Sequence, residues 1–132
     1  MPDKETLERA RKDRKAGKSA STQAGEFVRE EIHHVREGKH GARSAKQAIA
    51  IGLSKARRAG VRLKAPGRGE TSEETRRGAK RALAAGKQRK SPSPKRSRAM
   101  SKKLKHEGHS AASHRALSRQ AHSAARRRAK SN

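Results

Sequence analysis

The chain has 132 residues, of which 37 are lysine or arginine and 12 are aspartate or glutamate, giving a formal net charge of +25 at pH 7. Hydrophobic residues make up 29% of the chain and Phe27 is the only aromatic residue, too little apolar material for a large single core. The lack of cysteine excludes disulfides and thiolate metal sites, and no apolar run approaches the roughly 20 residues of a membrane span.

The first predicted element is a polar helix over residues 3–16. Gly17 follows it as a natural C-cap, and Leu7 is its only sizeable apolar side chain. Because a helix that is polar on all sides is marginal alone, we expect this one to form when it docks or binds a partner.

The strongest pattern in the chain predicts a helical hairpin over about residues 22–60. Its first helix spans residues 22–37, and its second spans residues 45–59 and begins with a capping box of Ser44 and Gln47. Apolar residues recur at helical spacing in both helices, and small residues on the second would let its neighbour approach closely. The predicted core residues are Phe27, Val28, Ile32, Val35, Ile49 and Leu53.

Beyond a glycine-rich linker, the sequence predicts a helix over residues 72–85 that Gly86 ends. Residues 87–96 hold two prolines and dense charge, which excludes regular helix there. A short basic helix is expected over residues 97–107, and residues 110–130 have strong local helical propensity.

These elements predict an all-α fold in three parts. A helical domain covers residues 1–64, a linker with a short helix covers 65–86, and a low-complexity basic arm covers 87–132. The linker and the arm are expected to be largely disordered, with some helix in the arm. The charge follows the same division, because residues 26–43 are net neutral whereas residues 91–132 contain 12 basic residues and one acidic residue.

The basic arm contains the sharpest short motif, Ser93-Pro94-Lys95-Arg96. A Ser-Pro step can form a turn that presents two cations, and such sequences resemble elements of histone tails that lie in AT-rich minor grooves. The alternative is an unstructured basic linker. The candidate nucleic-acid-binding residues are Lys55, Arg57, Arg58, Arg76, Arg77, Lys80, Arg81, Lys95, Arg96, Arg98, Lys102, Lys103, Arg126, Arg127, Arg128 and Lys130.

Seven histidines raise the question of a metal site, namely His33, His34, His40, His106, His109, His114 and His122, of which His106 and His109 are three positions apart. A metal needs three or four converging ligands, but no cysteine supports these histidines and Glu107 is the only carboxylate expected near them. We therefore predict no metal and no cofactor. The sequence also has no recognisable catalytic motif and no apolar pocket, so we predict that the protein is not an enzyme.

Three segments, residues 22–31, 38–44 and 46–60, resemble a family of small basic bacterial proteins. That family is a domain of unknown function, sometimes labelled DNA-binding. The resemblance covers about residues 5–64, and the tail over about 96–128 is similar too, with a histone-like composition. It implies a bacterial cytoplasmic protein and supplies no residue roles.

The composition predicts a nucleoid-associated or histone-like protein that binds the phosphate backbone with little sequence specificity. With one aromatic residue, base stacking is not available, so duplex DNA is favoured over RNA as the partner, and no membrane is expected. The alternatives are a ribosome- or RNA-associated protein, a helix-turn-helix-like regulator that reads bases with residues 45–59, and a protein–protein adaptor that seats its partner on Ala48, Gly52 and Ala56. The sequence leaves the oligomeric state open.

Overall fold

A computed structural model describes residues 2–88 and 93–131 of the chain, and over these residues it confirms the predicted all-helical fold. No strand forms within these ranges. The described elements are α1 (Lys4–Lys15), α2 (Ala20–Arg36), α3 (Ala45–Arg58), α4 (Glu73–Gln88), α5 (Pro94–Lys105), a single 3-10 turn (Ser110–Ala112) and α6 (His114–Ser131).

Serine side chains cap the starts of α2 and α3. The Thr22 amide donates to Ser19 Oγ at 3.2 Å, so α2 begins at residue 20 and not at the predicted residue 22. The Gln47 amide donates to Ser44 Oγ at 3.1 Å, which confirms the predicted cap of α3. The Gln47 side-chain oxygen in turn accepts from the Arg43 amide at 2.6 Å. Two backbone N–H groups at the start of α3 therefore have side-chain acceptors.

Gly86 does not end α4, contrary to the prediction, because the helix continues to Gln88. The glycine lies against the carbonyl oxygen of Arg57 on α3, where a Cβ atom would overlap that oxygen. A residue without a side chain is therefore needed for close packing of two helices rather than for a left-handed cap.

The prediction that residues 87–96 exclude helix is wrong at both ends, and its middle, residues 89–92, lies outside the described residues. α5 begins with Pro94 at its first position, where the missing N–H would have had no helical partner. The Arg96 amide donates to Ser93 Oγ at 3.2 Å, so the Ser-Pro step opens a helix and does not form the expected turn.

α2 and α3 pack against each other, which confirms the predicted hairpin. They approach closely at Gly52, where a Cβ atom would lie 2.6 Å from Val28 Cα. α1 also packs against α2, and α4 packs against α3, so these four helices form the body of the described part of the protein. The predicted close approach at the small face of α3 is thus confirmed.

Within the described ranges, most of the buried apolar residues form two small clusters. Phe27 is 1% exposed and centres the first, which also holds Ala10, Ala24, Ala56 and Val61, with Leu53 partly buried against it. Val35 centres the second. Of the six predicted core residues, two are fully buried and four are partly buried, namely Val28, Ile32, Ile49 and Leu53.

The second cluster draws the basic arm onto the hairpin. Ala111 and Ala112 of the 3-10 turn are buried against Val35. The Arg36 Nε group donates to the Ala112 carbonyl at 2.9 Å, and the Gly41 amide donates to the Leu104 carbonyl at 2.7 Å. These bonds position α5 and α6 relative to the body. None of the helices in the described ranges is long and apolar enough to cross a membrane.

Candidate nucleic-acid interface

α5 presents a cationic surface to solvent. Only Leu104 of this helix is buried, and within the described residues α5 packs against no other helix. Its six cations are all exposed, namely Lys95, Arg96, Arg98, Lys102, Lys103 and Lys105. At about 100° per residue, Lys95, Arg98 and Lys102 lie on the side opposite Leu104, whereas the other three lie about 80–100° around the helix from it.

Four of those cations form one line along the helix. Lys95, Arg98, Lys102 and Lys105 recur at i, i+3, i+7 and i+10, the spacing of a single helical face. Side chains at this spacing repel one another unless counter-charges lie alongside. Since Glu107 is the only acidic residue after residue 74, the sequence supplies almost none.

α6 carries a second cationic line. Leu117 is half-buried, and the opposite side of the helix carries exposed residues at i, i+4, i+7 and i+11. These are three arginines, Arg115, Arg119 and Arg126, with His122 between them. The predicted binding residues Arg126, Arg127 and Arg128 are exposed, and Lys130 lies in the last turn. Arg115 and Arg119 were not among the predicted residues. Their helical spacing was the available signal.

A cleft of about 590 Å³ lies between the start of α3 and the segment that runs from the 3-10 turn into α6. Arg43 and Lys46 line one side, and Arg115 and Arg119 line the other. The rest of the lining is serine, alanine and Gln120, with no carboxylate among the lining residues. The cleft therefore collects four cations from segments about 70 residues apart and suits an anionic ligand.

α4 contributes a smaller basic face. Arg77, Lys80 and Arg81 are exposed on it. Arg76 is held closer to the body: its Nε group donates to the Pro66 carbonyl at 3.2 Å, and it pairs with Glu73 at 3.5 Å. Its side chain is 19% exposed, so it fixes the linker to α4 more than it presents a charge.

Three residues of α3 that were predicted to bind nucleic acid differ sharply in exposure. Arg57 is buried and donates to the carbonyls of Leu63 at 3.1 Å and Lys64 at 2.8 Å, and this burial lowers the pKa of its guanidinium. Lys55 is paired with the buried carboxylate of Glu31. Both cations are thus committed within the protein, whereas Arg58 is half-buried at the edge of the hairpin.

No family model, curated protein or solved structure matches this chain. The resemblance to a family of basic bacterial proteins therefore stays a prediction.

Proposed function

We propose that this protein binds the phosphate backbone of nucleic acid, with little sequence specificity, through the outward faces of α5 and α6 and the cleft beside them. The observation that carries the proposal is the exposed cationic line on α5, in a part of the sequence where Glu107 is the only acidic residue after residue 74. When such a surface binds a polyanion, its cations are neutralised and the counterions held by the polyanion are released, which favours binding.

The lack of base-reading groups favours recognition of the backbone. Phe27, the only aromatic residue, is buried in the core and cannot stack on a base. The exposed cations are long, flexible side chains that neutralise phosphates in any sequence. We propose duplex DNA as the partner and a nucleoid-associated, histone-like role in the cytoplasm. We also propose that the arm, which was predicted to be disordered, becomes ordered on contact with DNA, since no helix of the described ranges packs against α5.

The helix-turn-helix alternative loses support from the surroundings of α3. Among the polar side chains of residues 45–59, Gln47 bonds to the Arg43 amide and Lys55 pairs with Glu31, so both already have partners within the protein. The adaptor alternative loses support as well. Ala48 and Ala56 are buried inside the protein's own core, so the small face of α3 already has its partner.

The proposal is tested by titrating the full chain against a random-sequence duplex DNA and a structured RNA hairpin of equal charge, at about 0.1 M salt, by fluorescence anisotropy. We expect the duplex to bind at least as tightly as the RNA, and scrambling the duplex sequence to change affinity by no more than about threefold. A preference for RNA of about tenfold or more would support the ribosomal alternative instead. A preference of about 100-fold for one duplex sequence would contradict non-specific binding.

A further inference from the structure

A fully buried carboxylate lies between two histidines where α2 ends and the connector to α3 begins. The Glu31 side chain is 0% exposed, and its Oε2 atom lies 3.2 Å from His40 Nε2. Its Oε1 atom lies 3.9 Å from His34 Nδ1 and also pairs with the Lys55 ammonium. One ligand atom from each of Glu31, His34 and His40 falls within 4.8 Å of the other two.

Both histidine rings are oriented by acceptors on their far sides. His40 Nδ1 lies 2.8 Å from the Gly41 carbonyl oxygen, which can only accept, so Nδ1 carries the proton. His34 Nε2 lies 3.3 Å from the Asp3 carboxylate. In the neutral rings, the nitrogens left without protons are those that face Glu31.

Among the described residues, the buried Glu31 Oε2 atom has no hydrogen-bond partner, although His40 Nε2 is only 3.2 Å away. A buried carboxylate oxygen facing a nitrogen lone pair is unfavourable unless a positive charge lies between them. Ligand atoms bound to one tetrahedral Zn²⁺ at about 2.0–2.1 Å are roughly 3.3 Å apart. Glu31 Oε2 and His40 Nε2 are close to this separation at 3.2 Å, whereas His34 Nδ1, 3.9 Å from Glu31 Oε1, would move closer on binding the ion.

We propose that Glu31, His34 and His40 bind a divalent transition-metal ion of the Zn²⁺ class. Two imidazoles and one carboxylate suit such an ion. The Asp3 carboxylate behind His34 and the Gly41 carbonyl behind His40 provide the outer contacts that orient metal-binding histidines. The site ties the start of α1, the end of α2 and the α2–α3 connector together, and it is separate from the basic surfaces of α5 and α6.

This inference departs from the expectation of no metal drawn from the sequence. His34 and His40 are six positions apart, with Glu31 three positions before His34, and no such spacing marks a known metal motif. The ligands converge only because the chain turns at Gly38, which has a φ of 80°, and brings the connector back over α2.

The site is tested by titrating the full chain with Zn²⁺ alone in calorimetry, in competition with a chelator. We expect one Zn²⁺ per chain to bind at this site, with a higher affinity than any Zn²⁺ bound weakly by the other histidines. His40→Gln and His34→Gln should each weaken this binding on the order of 100-fold, at least as much as losing an outer contact would. The matched control is His33→Gln on the same helix, because that side chain is 67% exposed and pairs with Glu37. Its affinity should equal the wild type.

Lys55→Gln separates a metal site from a plain ion-pair network, and remains informative if the histidine variants fold poorly. In a metal site, removing the ammonium leaves Glu31 free for the ion, so Zn²⁺ should bind at least as tightly and raise the Tm of this variant. The inference is overturned if Zn²⁺ leaves that Tm unchanged, or if His40→Gln binds Zn²⁺ as tightly as His33→Gln.

Discussion

Replacing Lys95, Arg98, Lys102 and Lys105 by glutamine is expected to weaken binding to random duplex DNA by roughly 50- to 1,000-fold at 0.1 M salt. Each phosphate contact contributes about 0.9 to the salt slope, which corresponds to roughly eightfold in affinity at this salt concentration. The estimate therefore assumes that between two and a little over three of the four cations contact phosphates. Glutamine has nearly the helix propensity of lysine and arginine, so α5 should keep its structure.

The matched control removes the same charge elsewhere. Lys4, Arg11, Lys12 and Lys15 are exposed on α1, and their replacement by glutamine lowers the net charge equally. If the surface of α5 is the binding element, the affinity of the α1 variant for the duplex should fall by less than about tenfold in the same anisotropy titration. This smaller loss would come from the lower net charge of the whole protein. Equal losses in the two variants would show that net charge, and not the placement of α5, determines affinity.

Gly52→Ala is expected to lower the free energy of unfolding by about 1–3 kcal/mol, the usual cost of forcing an extra carbon into a packed interior. The new Cβ would lie 2.6 Å from Val28 Cα and 2.9 Å from Val28 N. These are backbone atoms, so α2 and α3 would have to separate, which would loosen both core clusters. Urea denaturation followed by circular dichroism measures the change.

The control for this substitution is Gly25→Ala in the middle of α2. A Cβ atom at Gly25 would meet nothing within 4 Å, so the only effect is better helix propensity, worth about 0.5–1 kcal/mol of added stability. The two substitutions are chemically identical and should have opposite signs. A Gly52→Ala variant as stable as Gly25→Ala would mean that the hairpin is packed less closely than the structure shows.

Local patterns predicted the helices well because caps and apolar spacing act within one turn. The Ser44 cap and the apolar stripe of α2 needed no tertiary information. Gly86 shows the limit of such patterns: a glycine can end a helix or admit a neighbouring backbone, and only the position of Arg57 decides between these roles. The buried alanines of the 3-10 turn gave no signal either, because exposed alanines are common along the same arm.

The candidate binding residues were harder to predict, because a charged side chain has the same propensity on either side of a helix. Arg57 and Arg58 are neighbours in sequence, yet the first is buried and bonded to two carbonyls while the second reaches the surface. Composition identified α5 as basic, but the cleft depends on Arg43 and Arg119 meeting across the fold. Pairings between distant segments of this kind do not follow from local spacing.

The most direct test of backbone binding is the slope of log association constant against log salt for the full chain on a random duplex. Six phosphate contacts from α5, α6 and the cleft would give a slope of about −5. The account predicts a slope at least that steep, reduced in magnitude by about two or more in the α5 glutamine variant. A slope near zero, or one that the α5 substitutions leave unchanged, would contradict it.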